Sequence, residues 1–205
     1  MDMPLHVPRI AAVLLAAGES TRMGEPKALL PWASGKSLLA HQVSAAASAK
    51  YDPIIVVLGH LSSRLREELR EAPVEIVENR LYREGRSSSI VIGLKALPDA
   101  VDAVLIMSVD QPRSSALLDS LHQAWEDTRA PIVVPGANNR KGHPPLFSAS
   151  LLPELLQVTE EHEGLREVLA NHRREVTVMP TEDPLVFTNL NTRREYEAAL
   201  QKANA

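Results

Sequence analysis

Two cations stand close together in the segment LLAAGESTRMGEPKALLPW, residues 14–32: Arg22 and Lys27, in a loop with Gly18 and Gly24 that follows an apolar run. A guanidinium offers a planar fork and an ammonium a compact point charge, and both suit phosphate oxygens. The backbone N–H groups of such a loop can form an anion nest. A Walker A loop has GxxxxGK followed by Ser or Thr; here the interval from Gly18 to Gly24 is one residue too long, and Lys27 does not follow the second glycine. The GxGxxG of a dinucleotide fold is absent. On spacing alone, a phosphate loop and an ordinary strand-to-helix loop with two solvated cations are both open.

Asp110 closes the apolar run of VLIMSVDQP. A carboxylate there is costly without a partner, and magnesium is a common partner at a phosphate site. A turn aspartate or a cap before Ser114 is the competing reading. In TNLNT, Asn189 and Asn191 alternate, so they share one side if the segment is extended; the start of the last helix explains them better on spacing alone. Three serines, Ser87, Ser88 and Ser89, open a helix whose N–H groups can face an anion, although serines are also ordinary caps. Gly142 and His143 in RKGHPPLF are candidate substrate contacts, against a structural role for a lone histidine beside prolines. Ser-His-Asp order, HExxH and paired carboxylates are all missing, which argues against covalent and metalloprotease chemistry.

These residues need elements to hold them. Buried strands are expected at 7–16, 53–59, 74–79, 102–110 and 131–135, and helices at 37–49, 62–72, 87–97 and 114–125. Strand and helix alternate as far as residue 135, which predicts an α/β fold: a parallel sheet with helices on both faces. Ligands of such sheets sit at the carboxyl ends of strands, and Gly18 to Lys27, Gly59-His60, Asn79 and Asp110 all fall there. After 135 the pattern changes to a turn-rich excursion. Short helices near 150–157 and 164–170, a strand in REVTVMP and a final helix at 192–202 capped by Thr192 follow.

The 205 residues suit one domain, 1–205, and 44% apolar against 23% charged residues can fill its core. A net charge of −4 argues against a nucleic-acid partner. Without cysteine, thiolate zinc sites and cysteine nucleophiles are excluded. The first residues show no basic segment leading into a long apolar one, and the run 10–17 is too short to cross a bilayer, so a cytoplasmic protein without a membrane partner is expected.

Together, LLAAGESTRMGEPKALLPW, ENRLYREGRSSSIVIGLKAL, VLIMSVDQPR, RKGHPPLF and TNLNTRREYE resemble the signature blocks of the MobA/MocA family of nucleotidyltransferases over about residues 8–198. The resemblance implies a Rossmann-like nucleotidyltransferase fold, three-layered with a mostly parallel sheet. It implies Mg²⁺-dependent transfer of an NMP unit from an NTP to a phosphorylated acceptor, with release of pyrophosphate. Carried over by residue, Leu15, Ala16, Ala17 and Gly18 would line the base and ribose-phosphate side. Arg22 and Lys27 would hold the triphosphate. Asn79 lies near the base-reading position, Asp110 would be the magnesium ligand, and Asn191 would stand at a second metal position.

The branch signals divide. Ala17 and the GHP of 142–144 resemble the CTP-using MocA type, whereas Asn189 and Asn191 resemble the MobA type, which uses GTP. A neutral amide at 191 would weaken a second metal ligand, and Arg193-Arg194 departs from the usual Pro-Glu. By resemblance, the leading expectation is a cytidylyltransferase acting on molybdopterin cofactor, with a molybdoenzyme as further partner. A sugar- or polyol-phosphate acceptor, and a non-catalytic NTP-binding maturation protein, are the alternatives.

Overall fold

The computed structural model describes residues 6–20 and 23–204. Its parallel half comprises β1 (Ile10–Ala16), β2 (Ile54–Leu58), β3 (Glu75–Glu78) and β4 (Ala103–Ser108), interleaved with α1 (Leu38–Ser48), α2 (Ser62–Glu68) and α3 (Arg86–Lys95). Then come α4 (Ser115–Thr128), β5 (Ile132–Ala137), β6 (Arg140–Lys141), β7 (Leu146–Ser148), α5 (Leu152–Leu155), α6 (Leu165–Asn171), β8 (Val176–Pro180) and α7 (Arg193–Ala203). The strand order is β3-β2-β1-β4-β7-β5-β6, with β8 on β5.

Covering of both faces explains the unbroken apolar strands. Ile10, Ala12, Leu14 and Ala16 of β1 pack toward α1 and α4, while Ala11, Val13 and Leu15 pack toward α3, α5 and α6. A third cluster joins Leu30, Trp32 and Leu38 to Leu185, Leu190, Tyr196 and Ala199. It fastens α7 and the segment before it to the loop that follows β1. Thr192 and Glu195 form a reciprocal capping box at the start of α7.

The expected fifth strand, β5, keeps the direction of β4 but not a place beside it. The short β7 inserts between β4 and β5 and runs antiparallel to both, so β5 has no direct pairing with β4. The excursion after 135 is the β5–β6 hairpin followed by β7. The helix expected at 62–72 ends at Glu68.

The chain adds β2 and β3 on one side of β1 and then crosses to β4 on the other. The carboxyl ends of β1 and β4 therefore meet at the switch point, where an open α/β sheet presents its ligand crevice. Val109 N donates to Leu15 O at 3.0 Å, so the two strand ends remain in step.

Candidate functional site

Two cavities open at this switch point. Leu15, Ala16, Ala17 and Gly18 line the first, with Ser20, Lys27, His60, Leu61, Tyr82 and Asp110. Among the described residues nothing lies within 4 Å of a Cβ placed on Gly18, which leaves room for a ligand on that side. Arg86, Asp110, Gln111, His143, Glu160, Arg166, Asn189 and Asn191 are among the lining of the second. Asp110 and Arg86 line both, so the cavities adjoin there.

Lys27 stands in a short 3₁₀ turn after Pro26, and its backbone N–H donates to Ser20 Oγ at 3.1 Å. This folds the loop back and drives the lysine inward, to 8% exposure. Its Nζ lies 3.6 Å from Asp110 Oδ2 and donates to Asn191 Oδ1 at 3.4 Å. A buried ammonium needs such partners. Arg22 lies outside the described residues.

Asn189 and Asn191 both line the second cavity, while Leu190 between them is fully buried. The alternation expected of TNLNT is present. Leu190 N donates to Asp110 O at 2.8 Å, and Gln111 Nε2 to Asn189 Oδ1 at 2.6 Å, which stitches this segment to the loop after β4.

Asn79, Ser88 and Gly142 are placed differently from the other candidates. Asn79 is fully buried; its Nδ2 donates to Ser88 Oγ and Ser89 Oγ at 2.9 Å, and its Oδ1 accepts from Leu81 N at 2.9 Å. It lines neither cavity, and its amide is engaged in fixing the start of α3. Ser88 Oγ turns to Gly85 O at 2.8 Å, leaving Ser89 to line the first cavity and Ser87 the second. A Cβ on Gly142 would come within 2.6 Å of Val186 Cγ2, so that glycine answers a packing demand. His143 does line the second cavity. Burial, and then the nearby guanidinium groups of Arg86, Arg113 and Arg166, hold its imidazole down to about 4, so it is neutral at pH 7.

Sequence reasoning missed three arginines. Arg86 and Arg166 face the second cavity, and neither side chain makes a hydrogen bond or ion pair among the described residues. Water reaches Arg86 through the cleft, yet its crowding pulls the guanidinium pKa down, opposed by Asp110 and Glu160. Arg113 is buried to 1% exposure behind the site. Position after Gly85 and Gly164 was the only sequence signal for the first two.

A profile of the MobA-like NTP transferase domain matches residues 12–176, which covers both strand ends and most of the second cavity. The chain belongs to the MobA-like NTP transferase family. This MobA-like chain is 29% identical to a probable molybdenum cofactor guanylyltransferase of Bacillus cereus (strain Q1), over 92% of its own length and 94% of that protein's. It is 30% identical to the bifunctional protein GlmU of Syntrophotalea carbinolica over 91% of its own length, but spans only 42% of that relative. A nucleotidyl transferase from Methanothermobacter thermautotroptrophicus superposes with a TM-score of 0.81 at 25% identity, covering 96% of this chain and 98% of that one. The fold is the Rossmann-like one of nucleotidyltransferases, and the chain is a nucleotidyltransferase of this family. Among the described residues no helix is long and apolar enough to cross a membrane.

Proposed function

We propose that the chain transfers a nucleoside monophosphate, CMP before GMP, from a nucleoside triphosphate to a phosphorylated acceptor of the molybdopterin class. The observation that carries this reading is the pair of cavities meeting at Arg86 and Asp110, where the guanidinium faces both. A group transfer between two anions needs two sites with a shared, charge-neutralising boundary. The first cavity, with Lys27 at one end, takes the triphosphate. The second offers Arg86, Arg166 and an uncharged His143 to an anionic acceptor.

In this reading an acceptor phosphate oxygen forms a bond to the α-phosphorus, the bond from that phosphorus to the bridging oxygen breaks, and pyrophosphate leaves. Lys27 neutralises charge that grows on the leaving group, with Arg22 beside it by resemblance. Arg86, facing both cavities, offsets repulsion between the two phosphates. Little covalent work falls to the protein, so positioning and electrostatics dominate.

The donor set suits Mg²⁺. Asp110 Oδ2 and Asn191 Oδ1 converge on one ammonium, and no group of three or more His, Cys, Asp or Glu side chains able to hold a metal occurs among the described residues. Magnesium is commonly held by one or two carboxylates and completed by substrate phosphates rather than by an all-protein cage. Asp110 and Asn191 would hold it, and bound there it supplies neutralisation of α-phosphate charge.

CTP is favoured by the likeness of Ala17 and of the segment 142–144 to the CTP-using type, and Asp110, the one carboxylate that lines the first cavity among the described residues, is paired with Lys27 rather than with a nucleobase edge. GTP is the second reading, supported by the Bacillus cereus relative's printed name. Pyrophosphate release, measured for CTP, GTP, ATP and UTP with molybdopterin cofactor and with simple phosphate acceptors, tests both. Release with CTP and the cofactor supports the first reading and preference for GTP the second. Saturable NTP binding without release by any pair overturns both in favour of a non-catalytic binding protein.

A further inference from the structure

Arg113 is among the largest fully buried side chains, and no carboxylate stands at ion-pair distance from it among the described residues. Its donors go to backbone carbonyls instead. Nε donates to His143 O at 2.8 Å, Nη1 to Pro112 O at 2.7 Å and Leu185 O at 2.9 Å, and Nη2 to Val186 O at 3.2 Å. Thr188 O lies 3.4 Å from Nη1 and 3.5 Å from Nη2. Desolvation pulls the guanidinium down to about 10, against the pull of Asp183 and Asp110 in the other direction.

The backbone of the same residue is anchored from the core. Arg113 N donates to Gln42 Oε1 at 3.1 Å, while Gln42 Nε2 donates to Gln111 O at 2.7 Å and to Ser108 O at 3.2 Å. Gln42 is itself fully buried. One guanidinium thus joins three loops. The first carries Asp110 and Gln111, the second His143, and the third runs from Leu185 to Asn189 and Asn191. Asp110, Gln111, His143, Asn189 and Asn191 all line the second cavity. Among the described residues, the loop of Gly18 to Lys27 and the segment of His60 receive none of Arg113's hydrogen bonds.

Volume filling does not account for this choice. An apolar side chain would fill the space without the cost of desolvating a charge. What only arginine provides is five N–H donors in a fixed plane, able to meet carbonyls arriving from several directions; a lysine ammonium concentrates its three donors at one point.

We propose that Arg113 is a positioning residue that sets the acceptor cavity and the separation of Asp110 from Asn191, while leaving the nucleotide cavity, its edge at Asp110 apart, to the β1 loop. The kinetic part rests on the transfer reading above; the structural part does not. It predicts an asymmetric response to Arg113→Lys. The KM for the acceptor and the half-saturating Mg²⁺ concentration rise at least fivefold, while NTP affinity stays within twofold. Leu121→Ala, in the core under α4, is the control for destabilisation alone and leaves both constants within twofold.

Hydrogen exchange by mass spectrometry gives a readout that needs no activity. Arg113→Lys should speed exchange in 140–146 and 183–191 and leave 10–20 and 54–61 as in the wild type. Confined acceleration with the kinetic split supports the proposal. Uniform acceleration, a parallel loss of NTP affinity, or unchanged acceptor and Mg²⁺ constants overturns it. If the wild-type protein transfers no NMP to any acceptor, the transfer reading fails, and the exchange pattern alone decides whether Arg113 holds these loops.

Discussion

Lys27 Nζ stands 3.6 Å from Asp110 Oδ2, where the chain leaving β1 and the chain leaving β4 come side by side. The pair is unequal: the lysine side chain is 9% exposed and the aspartate 30%. The ammonium is committed inward while the carboxylate keeps a face toward both cavities. Such a pair neutralises itself, and in the proposed transfer phosphate and a cation would become further partners.

Asp110→Asn keeps the shape and removes the charge. The expected result is a loss of about 10²–10³-fold in kcat, the scale of losing one electrostatic contact to a transition state. Thermal stability should fall as well, because the buried Lys27 ammonium loses its carboxylate and is left with the neutral Asn191 Oδ1, while the backbone tie from Leu190 N to Asp110 O is kept. Transfer at wild-type rate in this variant would remove Asp110 from the metal role.

Asn191→Asp adds a carboxylate 3.4 Å from Lys27 Nζ and opposite Asp110. Half-saturating Mg²⁺ should fall, because a charged oxygen replaces a neutral amide across from Asp110. Titration of turnover or of Mn²⁺ binding checks this. Unchanged metal dependence would put residue 191 outside the metal shell.

Much of this site was legible in the sequence because Asp110 closes one long apolar run and Lys27 stands in the loop that follows another, and adjacent parallel strands bring such ends together. The insertion of β7 was not legible, since Leu146, Phe147 and Ser148 are too few to show a period. The engagement of Asn79 with Ser88 and Ser89 was equally hidden. A polar residue after a strand reads the same whether its amide faces a ligand or its own helix. Arg113 was invisible for a related reason: its partners are carbonyls, which carry no sequence identity.

Leu190 is fully buried between two asparagines that face the second cavity. Leu190→Ala should cost about 2–4 kcal/mol of stability, as for other buried leucines, and should raise the half-saturating Mg²⁺ concentration as Asn191 loses its support. Denaturant unfolding and a metal titration report the two effects. A stability loss with unchanged metal dependence would show that Leu190 does not position its neighbours.

Acid should destabilise the fold through His143. Its folded pKa is about 4, against an ordinary 6.5, so the unfolded chain holds the extra proton between those values. The stability contribution is complete above pH 6.5 and is lost as pH falls to 4, by roughly 3 kcal/mol at most. In His143→Gln the acid limb of a stability-versus-pH curve should be shallower over that window. An unaltered limb would place the acid sensitivity in other groups.

In the proposed transfer, an NTP in the β1 cavity is attacked at its α-phosphorus by an anion in the adjoining cavity. Incubation with CTP labelled at the α-phosphate, and separately at the γ-phosphate, in the presence of Mg²⁺ and molybdopterin cofactor, tests it most directly. The account predicts label from the α-position on the acceptor and label from the γ-position in pyrophosphate. Transfer of the γ-label to the acceptor, or tight nucleotide binding with neither label moved, would contradict it.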